Sequence, residues 1–127
     1  MIYVGTKCQL EQVVTNELTA AAVGSGLLPV FGTPYMSGLM ENAAQSALGV
    51  FLEEGQGSVG TELNICHISA TPVGLEVRAE AEVTAVDGNT ITFQVTAFDE
   101  CGKIGEGTHK RVLVNVQRFL DKAYNKL

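Results

Sequence analysis

Residues 36–51 place their apolar side chains on one stripe of one helix: Met36, Leu39, Met40, Ala43, Ala44, Ala47, Leu48 and Phe51 recur at i, i+3, i+4, i+7 spacing. So few polar groups interrupt the stripe that the helix cannot stay in water alone and needs something wrapped around it. Thr33 and Pro34 predict its start, a hydroxyl N-cap followed by the residue whose missing N–H costs nothing in the first turn. Gly55 predicts its end.

The rest of the chain supplies the cover. From 75 to 85 the odd positions read Leu, Val, Ala, Ala, Val, Ala and the even ones Glu, Arg, Glu, Glu, Thr, the period-2 pattern of a strand with one wet face. Asp87, Gly88 and Asn89 turn the chain, and Ile91, Phe93, Val95 and Ala97 alternate with polar residues as the antiparallel partner. Strands over 58–70, ended by Thr71-Pro72, and over 103–115 are expected to flank this hairpin. A strand over 9–16 and a short C-terminal helix over 116–125 complete an α+β domain, a sheet packed on one long helix.

The whole of 1–127 reads as a single domain, since no repeat, low-complexity tract or Pro/Ser-rich linker divides it. With 46% hydrophobic and 17% charged residues it can bury a core without staples. Eight Lys and Arg against fourteen Asp and Glu leave a net charge of −6, which repels phosphate backbones, so nucleic acid is not an expected partner. No apolar run approaches a membrane span and no basic-then-apolar leader opens the sequence, so no membrane association is expected. Cys8, Cys66 and Cys101 are widely spaced and odd in number, which fits free thiols in the cytoplasm and offers no zinc signature.

Several residues could carry chemistry. Glu41 borders the apolar stripe, where it reads as a surface carboxylate or as a site group. His67 shares strand parity with Val59, Leu63 and Ile65, which turns an imidazole toward the helix, as a satisfied core histidine or as a functional one. Thr33 is explained as an N-cap; Gly60 marks a bulge or a close backbone approach. Arg111 shares a strand face with His109 and Leu113, as a rim cation or an anchor for an anionic ligand tail, and Gly105 and Gly107 weaken that strand enough to admit a ligand. No nucleophile elbow, Walker loop or metalloprotease motif is present.

Together, Phe31-Gly32-Thr33-Pro34, Glu41 eight residues after Thr33, Gly60 followed seven residues later by His67, and Thr108-His109-Lys110-Arg111 resemble the fluoroacetyl-CoA thioesterase branch of the hot dog thioesterases over nearly the whole chain. The resemblance implies the hot dog fold, an antiparallel sheet wrapped around one central helix. It implies catalytic roles for Thr33, Glu41 and His67, and substrate-binding roles for Gly60 and Arg111. The implied reaction is hydrolysis of a small or medium acyl thioester, on CoA or a carrier protein, with no cofactor and no metal beyond the CoA of the substrate. A non-catalytic acyl-CoA binding module and a hot dog hydratase or dehydratase are the alternatives, the latter lacking its expected Asp and His motif. The stretch Val23-Gly24-Ser25-Gly26-Leu27-Leu28-Pro29 holds none of the aromatic residues that form a lid in the fluoroacetate-selective members, so fluoroacetyl selectivity is not expected.

Spacing also bears on assembly. Seven residues along one strand separate Gly60 from His67 by about 23 Å, too far to touch one thioester. Antiparallel pairing of that strand with its own copy, about an axis between Leu63 and Asn64, would set Gly60 opposite His67 of the partner subunit. Together with the resemblance, whose members usually dimerise through one continuous sheet, this spacing implies a homodimer or a dimer of dimers.

Overall fold

The computed structural model describes residues 1–127. Strand β1 (Lys7–Val13) leads through a 3-10 turn (Asn16–Leu18) and a short helix α1 (Ala20–Val23) to the long helix α2 (Thr33–Gly49). Strands β2 (Gln56–His67), β3 (Glu76–Asp87), β4 (Thr90–Asp99) and β5 (Gly102–Asn115) follow, then helix α3 (Val116–Tyr124). All five strands form one antiparallel sheet in the order β1-β3-β4-β5-β2.

The sheet covers α2 as the apolar stripe requires. Met36, Leu39, Met40, Ala43, Ala44, Ala47 and Leu48 are all buried, against Val77, Ala79, Ala81 and Val83 of β3 and Ile91, Phe93, Val95 and Ala97 of β4. Each buried Met, Leu or Val stabilises the fold by about 1.5–3 kcal/mol relative to exposure. Small alanines where helix and sheet face each other let the two layers approach closely.

The boundaries differ from the sequence expectations for local reasons. Helix α2 stops at Gly49, not Gly55, so Phe51 falls in the turn beyond it. Strand β1 ends at Val13 and gives way to the 3-10 turn before residue 16. Strand β2 ends at His67, because Ile68 and Ser69 turn their N–H groups to the single carbonyl of Ile104. The buried alternation of β3 ends at Val83: a register shift before Ala85 turns that residue out to solvent. The hairpin β3–β4 is flanked by β1 and β5, while β2, expected beside it, lies beyond β5 at the sheet edge. No helix is long and apolar enough to cross a membrane.

Candidate active site

Helix α2 acts as a ruler. Thr33 at its first turn and Glu41 eight residues later stand about 12 Å apart along the axis, and each meets a different end of β2. At the first end, Thr33 Oγ1 lies 2.7 Å from His67 Nδ1. Thr33 is free to do this because it is not the N-cap: Gly32 occupies that position, and its carbonyl accepts from the N–H groups of Tyr35 and Met36 at 3.0 Å. The Phe31 ring meets the His67 ring edge-on at 6.5 Å. Nε2 of His67 is buried without a hydrogen-bond partner. Burial pushes the His67 pKa below its usual value, with the Ser69 backbone opposing, so the neutral imidazole is favoured.

At the second end, Glu41 Oε2 lies 3.6 Å from Nη1 of Arg111. Arg111 is only 7% exposed. Its Nε donates to Ser58 Oγ at 2.9 Å and its Nη2 to the Ser58 carbonyl at 3.1 Å. It is thus neither a rim cation nor an open anchor for a ligand tail: it faces Glu41. Gly60 sits against the carboxylate, and a Cβ there would lie 2.8 Å from Glu41 Oε2.

A bulge makes both ends face the helix. Gly60 pairs with Arg111 and Glu62 with Lys110, leaving Thr61 as the extra residue. Strict alternation would put Gly60 and His67 on opposite faces, being an odd number of residues apart. The inserted residue resets the parity, so Ser58 and Gly60 before it and Leu63, Ile65 and His67 after it all point inward. The expectation that Val59 shares the face of His67 fails for the same reason.

The expected catalytic trio is therefore divided within one chain. Thr33 and His67 are together; Glu41, Gly60 and Arg111 are together; and Thr33 does not reach Glu41. A cavity of about 350 Å³ opens beside Thr33 and His67, bordered by Ser25, Val30, Phe31 and Ile68. Gly105 and Gly107 do not open the strand to a ligand. A Cβ on Gly105 would meet Met36 Sδ at 2.6 Å, and one on Gly107 would collide with the Asn64 carbonyl, so both glycines serve close packing. No three His, Cys, Asp or Glu side chains converge on a metal position.

Sequence reading did not single out Ser58 or His109 as site residues. His109 is 1% exposed and its Nε2 lies 3.2 Å from Arg111 Nη1. The available signal was the alternation in Thr108-His109-Lys110-Arg111, which puts the two side chains on one strand face.

A family profile described as fluoroacetyl-CoA-specific thioesterase matches residues 14–117. The fluoroacetyl-CoA thioesterase of Streptantibioticus cattleyicolor is 41% identical over 97 residues, covering 76% of this chain and 70% of that one. A solved structure of a fluoroacetyl-CoA thioesterase superposes with a TM-score of 0.95 at 34% identity, covering 100% of this chain and 98% of the other. A variant of such an enzyme, solved with fluoroacetate and CoA, gives 0.88 at 35% identity over 93% and 99% of the two chains. The hot dog fold is the one these structures share. The expectation that fluoroacetyl selectivity is absent conflicts with these relatives, which are described as specific for fluoroacetyl-CoA.

Proposed function

This chain belongs to the fluoroacetyl-CoA-specific thioesterase family and is a thioester hydrolase, and on that premise we propose that it hydrolyses short acyl-CoA esters, fluoroacetyl-CoA among them, at sites shared between two subunits. The reaction consumes water and releases a carboxylate and the CoA thiol. In this reading Glu41 is the reacting carboxylate, attacking the acyl carbon directly or through a water. Arg111 orients it. His67, held by Thr33, is the neutral base that takes a proton from the water consumed and passes it to the departing thiolate, and the Gly60 backbone N–H helps hold the carbonyl oxygen. The cavity beside Thr33 and His67 takes the acyl group. No cofactor or metal is required, CoA entering only as part of the substrate.

The observation that carries this reading is the pairing of Glu41 with Arg111 at 3.6 Å against Gly60, where a Cβ would lie 2.8 Å from the carboxylate, at the other end of β2 from the Thr33–His67 pair. Completion of the site needs a partner. Strand β2 is a 12-residue edge with one side unpaired; because Thr61 is an extra, bulged residue, the axis expected between Leu63 and Asn64 moves onto Asn64, and pairing about it sets Gly60 opposite His67 of the partner subunit, with Cα atoms about 5 Å apart. Such a homodimer has two identical sites, and the free thiols at Cys8, Cys66 and Cys101 support a cytoplasmic setting.

A panel of acyl-CoA esters assayed with a thiol reagent tests the reaction. Release of CoA thiol from fluoroacetyl-CoA above the uncatalysed rate is expected. Binding of the panel without thiol release would overturn the proposal.

A further inference from the structure

Arg111 and His109 are buried in direct contact, Nη1 to Nε2 at 3.2 Å. A guanidinium is always charged and can only donate, so the contact is attractive only when the imidazole is neutral and offers a lone pair at Nε2. The other nitrogen fixes that state. His109 Nδ1 lies 2.8 Å from the Glu62 carbonyl, which can only accept, so the ring proton sits on Nδ1. The Glu62 carbonyl belongs to the residue just past the bulged Thr61, and the ring is held flat against Phe93 of β4, centroids 6.1 Å apart at 29°.

The elements packed around His109 act on its charge in both directions, and burial with Arg111 prevails. Strand β5 contributes the Arg111 cation and strand β4 the uncharged Phe93. Helix α2 contributes Glu41, and β2 contributes the Glu62 carbonyl, its carboxylate turned instead to Lys110 at 3.6 Å. Burial is the largest influence and lowers the His109 pKa, Arg111 adding to it and the Glu62 carbonyl and Glu41 opposing.

We propose that His109 is a positioning residue: its neutral Nδ1–H imidazole fixes Nη1 of Arg111, and through Arg111 it sets the place of the Glu41 carboxylate beside Gly60. This rests on Glu41 being the reacting carboxylate. Arg111 is otherwise gripped only by Ser58, through Nε and Nη2, which leaves Nη1, the nitrogen facing Glu41, with no other anchor than His109. A displaced carboxylate costs turnover more than binding, because misplacement of about 1 Å at a reacting group can cost about 10²-fold.

The test uses His109→Phe, which keeps a ring against Phe93 and removes both nitrogens, and His109→Gln, which keeps a donor and an acceptor. His109→Phe is expected to lower kcat on fluoroacetyl-CoA by about 10- to 10²-fold with KM changed far less, and His109→Gln to recover part of the loss. In a Glu41→Gln background, His109→Phe should cost almost nothing further, since the group it positions is gone. Nitrogen NMR of the unaltered protein at neutral pH should find His109 neutral and protonated at Nδ1. Normal kcat in His109→Phe beside an inactive Glu41→Gln overturns the role of His109 and leaves that of Glu41 intact; an active Glu41→Gln overturns the role of Glu41 itself. If His109→Phe does not fold, His109→Gln and the NMR decide: a charged ring, or a proton on Nε2, overturns the proposal.

Discussion

Gly60 and Glu41 are packed so closely that a single methyl group on Gly60 would come within 2.8 Å of the carboxylate oxygen and 3.0 Å of the His109 ring. Glu41 is at the end of a flexible side chain on a helix, so it is the partner that gives way. Gly60→Ala is therefore expected to keep its cooperative thermal unfolding and to lose at least about tenfold in kcat, with the carboxylate displaced from its place. Steady-state kinetics beside a melting curve check this, and a fully active variant would show that the site has no need of that closeness.

Glu41→Gln keeps the shape of the side chain and removes its charge. If Glu41 is the nucleophile or base, turnover falls by at least about 10²-fold while the fold survives. Wild-type hydrolysis by this variant would take Glu41 out of the reaction.

His67→Ala is expected to cost turnover to a similar degree and to change the acid side of the pH profile. Burial holds the His67 pKa below its usual 6.5, so the acid limb of kcat/KM in the unaltered enzyme should fall below that pH. An unchanged rate and profile in His67→Ala would return the residue to a packing role.

The same depressed values bear on stability. Both His67 and His109 have pKa values below the 6.5 of an unfolded histidine. As pH falls past 6.5 the unfolded chain takes up protons that the folded chain refuses, so the contribution of these groups is present above that pH and is lost as pH falls toward their folded values. The thermal unfolding midpoint should therefore fall between pH 7 and pH 5, and that of His109→Phe should fall less over that interval. Equal slopes for the two proteins would contradict the buried neutral state of His109.

Assembly is tested by mixing. If each site joins Glu41 of one subunit to His67 of the other, inactive Glu41→Gln and inactive His67→Ala chains, unfolded and refolded together, form mixed dimers with one intact site. Random pairing then restores about one quarter of wild-type activity. No recovery from a mixture shown by light scattering to be dimeric would mean that sites do not form across the pair.

Most of the secondary structure was legible because it depends on local periodicity. The helix stripe from Met36 to Leu48 and the alternation from Val77 to Val83 and Ile91 to Ala97 were read correctly from spacing alone, and each residue is buried. Ends were less legible. Thr33 looks like a cap in sequence, yet the Gly32 backbone starts the helix and leaves the hydroxyl to His67.

The sequence by itself determined one long apolar helix, a set of strands able to cover it, and the residue types at the site, all of which follow from the 3.6 and 2.0 periods of a single chain. Tertiary structure decided where β2 lies and which way its residues face. The bulge at Thr61, which turns Gly60 and His67 to the same side, is invisible to a parity count because it arises from how β2 registers against β5, a strand some fifty residues away in sequence. The division of the site follows from the same cause. Thr33 and Glu41 are neighbours on one helix, but the partner each meets, His67 or Gly60 with Arg111, is set by the hydrogen-bond register of the sheet, which no local pattern encodes.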